Sequence, residues 1–288
     1  MKRAVDHLVL CVRDLAAAGE FYERLGFTLT PRAEHPFGTA NRLVQLRGSF
    51  LELVTVADPR RIAPAGGGEF SFGAFTAAFL RKSEGMSMLV LQTDDAVRDR
   101  RDFAKRGLET YAPFHFSRKA RQPDGAEAEV SFSLAFVTNR DMPDAAFFSC
   151  QQHAPQYFWK PEYQRHANAA TRVLEVLMAA AEPARFADFF GRLFGAQAVS
   201  VARGALRVAL EGGALLVLDA TEIEQRFPGD AQEVAAEARF VGFSVAVEDL
   251  AGLETRLRAA GIPFARAGAL IQVSRRAAFG AAIEFTAR

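Results

Sequence analysis

Apolar and polar positions fall into one pattern that recurs four times along the chain. The first copy opens with "VDHLVLCVRDLAAAGEFYERLGF", residues 5–27, where Val5, His7, Val9 and Cys11 alternate with Asp6, Leu8, Leu10 and Val12. Both sets are largely apolar, as in a strand covered on two faces. Asp14 suits a helix N-cap, Phe21, Tyr22 and Leu25 form an apolar stripe, and Gly26 stops the helix. Three strand-like runs follow, "FTLTPRA", "NRLVQLR" and "SFLELVTV", with Gly48-Ser49 as a hairpin signal between the last two.

The same order returns at "MSMLVLQTDDAVRDRRDFAKRGLET", with a strand over 88–93 and a helix over 94–106. Strands follow at "FHFSRKA", "EVSFSLAFV" and "AAFFSCQ", and "QPDGA" reads as the turn between the first two. A third copy runs from "TRVLEVLMAAAEPARFADFFGRLFG" to "LRVALEGGALLVLDA", and a fourth from "RFVGFSVAVEDLAGLETRLRAAGIPF" to "AAIEFTAR". A repeat outweighs any single-segment reading. It predicts an α+β protein of four βαβββ modules paired into two domains with curved mixed β-sheets. Length agrees, because 288 residues exceed what one core usually organises. The first domain is expected at 1–158, with modules at about 1–57 and 86–153 and an insertion at 58–85. The second is expected at 169–288, with modules at about 171–220 and 239–288. The insertion holds "DPRRIAPAGGGEF" and then "SFGAFTAAFLRKSEG", a flexible stretch and a short helix, either a lid or a connector. "APQYFWKPEYQRHANAA" joins the domains.

Composition narrows the partners. With 50% apolar residues and 26 Phe the chain can build cores and still line a cavity with flat rings. Lys plus Arg (35) and Asp plus Glu (34) nearly cancel, and no long basic run with interleaved aromatics suggests a nucleic-acid groove. Asp6 and His7 interrupt the only candidate signal-peptide core, and no run approaches ~18 apolar residues, so a soluble, cytoplasmic protein without membrane contact is expected. Cys11 and Cys150 lack a C-x-x-C pattern and read as reduced thiols.

Paired βαβββ modules with His on the first strand and Glu on the fourth resemble the vicinal oxygen chelate superfamily, which includes glyoxalase I, extradiol dioxygenases and antibiotic-binding resistance proteins. More narrowly, "DHLVLCVRDL", "HPFGTANRLVQL", "FLELV" and "QQHAPQYFWKPEYQRHANAA" resemble the glyoxalase-like domain proteins. The resemblance implies a curved sheet around a cavity, with ligand positions on the first and fourth strands of each module. Overlaying the copies places His7, Met88, Val176 and Gly242 at the first-strand position and Glu52, Phe148, Leu216 and Glu284 at the fourth. Only the first domain keeps a donor pair, His7 with Glu52. Glu284 is expected to be a vestigial or structural carboxylate, with Val176 and Leu216 among the chains closing the second domain's pocket. Neither the four-ligand glyoxalase pattern nor the two-histidine, one-glutamate pattern of extradiol dioxygenases is complete.

By alternation His7, Val9 and Cys11 share one face, and so do Phe50, Glu52 and Val54. A buried Glu52 needs compensation from His7, a cation or a substrate. A metal centre needs a further ligand, for which His153 is the first candidate and His35 the second. His35 otherwise shapes the "HPFGTAN" loop, from which Thr39 and Asn41 can reach a ligand. Phe50, Met88 and Phe148 are expected to form pocket wall, and Gln92, Cys150 and Gln152 to face the cavity as orienting polar groups. Cys150 has no adjacent base, so a nucleophilic role is not expected. His166, Asn168, Trp159 and Tyr163 belong to the junction, and His115 to an edge strand.

Two functions stay open. In one, a divalent cation (zinc, manganese, nickel or iron) on His7, Glu52 and His153 or water chelates a small oxygenated substrate, with Glu52 and His7 as catalytic groups of a lyase, isomerase or dioxygenase. In the other, a metal-free protein sequesters an apolar or aromatic compound in a Phe-lined cavity. The expected partner is a small molecule in both, and the candidate assembly is a homodimer.

Overall fold

Each repeat folds as a strand, a helix and a short antiparallel set whose last strand returns parallel to the first. The structure is a computed structural model that describes residues 3–121, 127–228 and 237–287; the turn read at 122–126 lies outside them. The first repeat comprises β1 (Val5–Cys11), α1 (Leu15–Arg24), β2 (Ala33–Glu34), β3 (Thr39–Gln45) and β4 (Phe50–Val56). After α2 (Phe72–Lys82), the second comprises β5 (Gly85–Gln92), α3 (Ala96–Lys105), β6 (Glu109–Thr110), β7 (Phe114–Arg121), β8 (Glu127–Thr138) and β9 (Ala146–Gln152), with α4 (Pro155–Phe158) beyond it. The third has β10 (Ala170–Ala179), α5 (Ala187–Phe194), β11 (Val199–Ala202), β12 (Ala205–Leu210) and β13 (Gly213–Leu218), followed by α6 (Ala220–Arg226). The fourth has β14 (Arg239–Val247), α7 (Leu250–Ala259), β15 (Ala265–Ala267), β16 (Leu270–Val273) and β17 (Ala282–Ala287).

Most of the helices start where the sequence supplies a side-chain acceptor. Asp14 accepts from the backbone N–H groups of Ala16 and Ala17, and Asp95, Asp219 and Asp249 cap α3, α6 and α7 in the same manner.

These elements make two mixed sheets. One runs β2-β3-β4-β1-β5-β9-β8-β6, with β7 also on β8; the other runs β11-β12-β13-β10-β14-β17-β16-β15. In the first, β1 pairs parallel with β4 and antiparallel with β5, which pairs parallel with β9. The second repeats this around β10 and β14. The expected α+β class with paired βαβββ modules is what the chain adopts.

One face of each sheet carries its helices, and these faces merge in a single apolar core. Phe147 of β9 meets Phe189 and Phe190 of α5 and Phe240 of β14, while Phe21 and Phe27 meet Phe279 and Phe285. The opposite, concave faces have separate clusters. Over the first lies the insertion: Phe72 and Phe79 of α2 are buried against that concave face, a covering rather than a loose connector. Among the described residues no helix is long and apolar enough to cross a membrane.

The junction is tight where chain meets chain. His166 accepts from the Thr28 N–H at Nδ1 and donates from Nε2 to the Gln45 carbonyl, and Asn168 Nδ2 donates to the Leu25 carbonyl at the end of α1. Gly85 has φ +131°, and a Cβ there would lie 2.7 Å from the carbonyl oxygen of Gly280. Gly85→Ala is therefore expected to lower the unfolding free energy by roughly 2 kcal/mol or more. Chemical denaturation measures this, and a loss under about 0.5 kcal/mol would show that the two backbones separate freely.

Candidate functional site

The parallel register of β1 and β4 sets Val9 opposite Glu52 and His7 opposite Phe50. Their alternation turns His7 and Glu52 into the concave face, where His7 Nε2 lies 3.6 Å from Glu52 Oε2. The His7 ring stacks on Phe50, centroids 4.2 Å apart at 13°, and meets the edge of Phe148 at 5.5 Å. Both polar side chains are almost wholly buried.

Asp6 is the residue that sequence reasoning missed. Plain alternation sends it to the opposite face from His7. The β1–β5 ladder, however, slips between Val5 and His7, and its carboxylate reaches His7. His7 Nδ1 donates to Asp6 Oδ1 at 2.6 Å, which fixes the tautomer and leaves Nε2 for the cavity. Gln152 Nε2 donates to Asp6 Oδ2 at 2.9 Å, so Gln152 braces this carboxylate.

His35, not His153, joins the pair. Its Nε2 lies 3.7 Å from Glu52 Oε1, and its Nδ1 bonds Thr39 Oγ1 at 2.8 Å. Phe37 stacks on its ring at 4.8 Å, with Phe72 and Phe116 edge-on. Burial depresses its pKa to about 4, against the opposing pull of the Glu52 charge. Neutral His35 thus offers a lone pair at Nε2. Asn41 Nδ2 bridges, 2.6 Å from Glu52 Oε1 and 3.2 Å from His35 Nε2, and leaves Asn41 Oδ1 buried with no partner among the described residues.

These groups line a chamber of about 40 Å³ in which the centre of a water molecule can move, room for a few waters. Asn41, Phe50, Phe148 and Cys150 border it with His7, His35 and Glu52. Burial pushes the Cys150 thiol well above its usual range and Cys11 to about 12, which disfavours either thiolate. Other expected positions fall elsewhere. Met88 is fully buried within the apolar cluster, and Thr39 is spent on His35. Gln92 is exposed and donates to the Gly48 carbonyl. His153 is exposed beyond β9, where Ser133 Oγ lies between it and His115.

The residues do not fit the divalent ion that the resemblance implies. Met88 and Phe148 stand at two of the four ligand positions, and neither offers a hard donor. Asn41 already bridges the two groups, His35 and Glu52, that a cation would have to share with His7. Among the described residues no three His, Cys, Asp or Glu side chains form a metal-holding group.

The second sheet shows what became of the same positions there. Glu175 pairs with Ala214 and Leu177 with Leu216, matching His7 with Phe50 and Val9 with Glu52. The first-strand position is therefore Glu175, and Val176 faces the merged core instead, a shift of one residue. Glu175 and Glu284 are both claimed by Arg226 of α6: Nη2 reaches Glu175 Oε2 at 2.5 Å, and Nε reaches Glu284 Oε1 at 3.0 Å. Gln272 Nε2 adds a bond to Glu284 at 2.8 Å. Burial works against the guanidinium's charge, but the two carboxylates outweigh it and raise the Arg226 pKa. An internal cation, Arg226, joins the apolar cluster that packs with Leu216 on this face.

Solved structures share the architecture. A hypothetical protein from Staphylococcus aureus is 12% identical, with 99% of this chain and 100% of that chain covered at a TM-score of 0.69. A triple mutant of 4-hydroxymandelate synthase from Streptomyces coelicolor is 13% identical, with 100% and 93% covered at 0.59. A fusion of a xylose isomerase-like TIM barrel with 4-hydroxyphenylpyruvate dioxygenase is 14% identical, with 99% and 49% covered at 0.56. At such identities the likeness is one of fold, and no curated protein matches the chain. Residues 5–194 match the glyoxalase-like domain family, and the chain belongs to it.

Two outcomes test this geometry. His35 has a depressed folded pKa, so the unfolded chain takes up its proton first as pH falls. The resulting penalty is absent above about 6.5, grows down to about 4, and reaches about 3 kcal/mol. The stability difference between wild type and His35→Gln should shift in favour of the variant by up to that amount between pH 7 and 4; a pH-independent difference contradicts the buried neutral imidazole. Arg226→Met strands the fully buried Glu284, at an expected cost of about 3–5 kcal/mol in urea unfolding, and adding Glu284→Gln should restore a good part of it.

Proposed function

We propose that the chain is a small-molecule enzyme of the glyoxalase-like fold, an isomerase or lyase whose His7–Glu52 pair moves a proton on an oxygenated substrate held in the first concave face. The observation that carries this reading is the braced imidazole: Asp6 holds Nδ1, and Nε2 and the Glu52 carboxylate share one enclosed, largely apolar chamber. An imidazole and a carboxylate at this separation can isomerise a hydroxy-carbonyl compound, with Glu52 taking the proton from one carbon and returning it to its neighbour while the His7 Nε2 lone pair takes the hydroxyl proton and returns it to the carbonyl oxygen. Asn41 Oδ1, which has no partner among the described residues, is placed to accept a hydrogen bond from the same oxygenated group. The donor set does not fit a divalent ion, so the proposal routes no step through one.

A sequestration protein is the competing reading, favoured by the preponderance of Phe around so small a chamber. The two differ in a measurable way. In D2O, the purified chain should catalyse hydrogen exchange at the carbon next to the carbonyl in at least one of a panel of small hydroxy- and oxo-carbonyl compounds, followed by proton NMR. His7→Ala and Glu52→Gln should each slow exchange by about 10²–10⁴-fold. Chelator treatment should leave it unchanged. Saturable binding without exchange in any compound supports sequestration, and loss on chelation with recovery on zinc or manganese restores the metal-dependent reading.

A further inference from the structure

Arg118 sits where a cation is costly. It lies on β7 opposite Val130, and alternation puts it on the same side as Phe114 and Phe116, which pack into the aromatic cluster of the concave face. His115, Ser117 and Lys119, between and beyond them, are exposed. Among the described residues Arg118 is the one Arg or Lys bordering the chamber. It also borders a wider adjoining cleft of about 360 Å³, so that Leu43, Phe158 and Arg118 form the boundary between the two spaces.

No described residue makes a side-chain hydrogen bond or ion pair with this guanidinium. Glu52 acts on it through its charge alone, while burial works the other way and lowers its pKa. A half-buried guanidinium without a counter-ion in contact has given up part of its hydration with little return. That arrangement suits a partner that arrives from outside.

We propose that Arg118 anchors the substrate's anionic group, and that the site takes a small monoanion whose carboxylate meets Arg118 and whose apolar or aromatic body lies among Phe50, Phe132, Phe148 and Phe158. The inference rests on the proposed function for placing the reacting end of that molecule at His7 and Glu52. The planar fork of an Arg matches a carboxylate with two parallel N–H···O bonds. Charge selects the monoanion. Glu52 already sets one carboxylate on the wall that the single guanidinium shares, so a dianionic phosphate would meet more repulsion there than a monoanion does. A neutral ligand would leave Arg118 as it stands, still unpaired.

Calorimetric titration of the full chain with phenylacetate, phenylacetamide and phenyl phosphate tests this. Wild type should bind phenylacetate at least ten-fold tighter than the neutral, near-isosteric amide, and tighter than phenyl phosphate. Arg118→Gln, confirmed folded by its thermal transition, should abolish the preference for the acid while leaving amide affinity within about two-fold. Arg118→Lys should retain part of the preference. Equal binding of acid and amide by wild type, a preference that survives Arg118→Gln, or binding of neither probe would each overturn the anion site, and tighter phenyl phosphate binding would overturn its monoanion selectivity. The acid–base reading is judged separately by hydrogen exchange in His7→Ala. Preference for the acid with no exchange in any compound upholds the anion site and removes the enzyme.

Discussion

The candidate site of this protein depends on one register, the parallel pairing that sets Val9 against Glu52. Because side chains alternate with a period of two, a slip of a single residue would send His7 and Glu52 to opposite sides of the sheet. The crossover through α1 makes the pairing parallel, and Asp14 fixes where α1 begins. The carboxylate and the imidazole are thus held by backbone pairing rather than by each other. A separation of 3.6 Å between them is wider than a hydrogen bond, which leaves the pair open to an inserted group.

Much of this was legible in the sequence, for a definite reason. A fourfold recurrence of strand, helix and glycine carries far more information than any one segment, and it located β1, β4, β5 and β9; the family resemblance then picked out His7 and Glu52 on them. Asp6 was illegible because alternation, the rule that found His7, assigns its neighbour to the other side, and only a local bulge reverses that. His153 stands beside a predicted fourth strand and His35 only in a loop, so the sequence favours His153. In the fold that loop folds back over Glu52, whereas the chain beyond β9 turns outward. Val176 in place of Glu175 was an alignment slip of one, the smallest error that changes which face a residue serves. Arg226 carried no signal at all, since it comes from a short helix outside the repeat.

The two concave faces solve one electrostatic problem in different ways. Each brings a carboxylate into apolar surroundings, and each must supply something positive or polar to hold it. In the second sheet the answer is internal and permanent: Arg226 saturates Glu284 and Glu175, and α6 is pinned over the face as a result. In the first sheet the compensation is partial. Asn41 and His7 share Glu52 while Asn41 Oδ1 is left without a partner. Incomplete satisfaction of this kind is tolerable where a ligand completes it and wasteful elsewhere.

The merged core gives the second half a standing that its closed pocket does not suggest. Since Phe147 of β9 is keyed between α5 and β14, and Phe27 against Phe285, the helix-bearing faces cannot be separated without opening a broad apolar surface to water. Separating the two halves, by proteolysis or by deletion of the second, would thus remove the apolar support on which the first concave face rests.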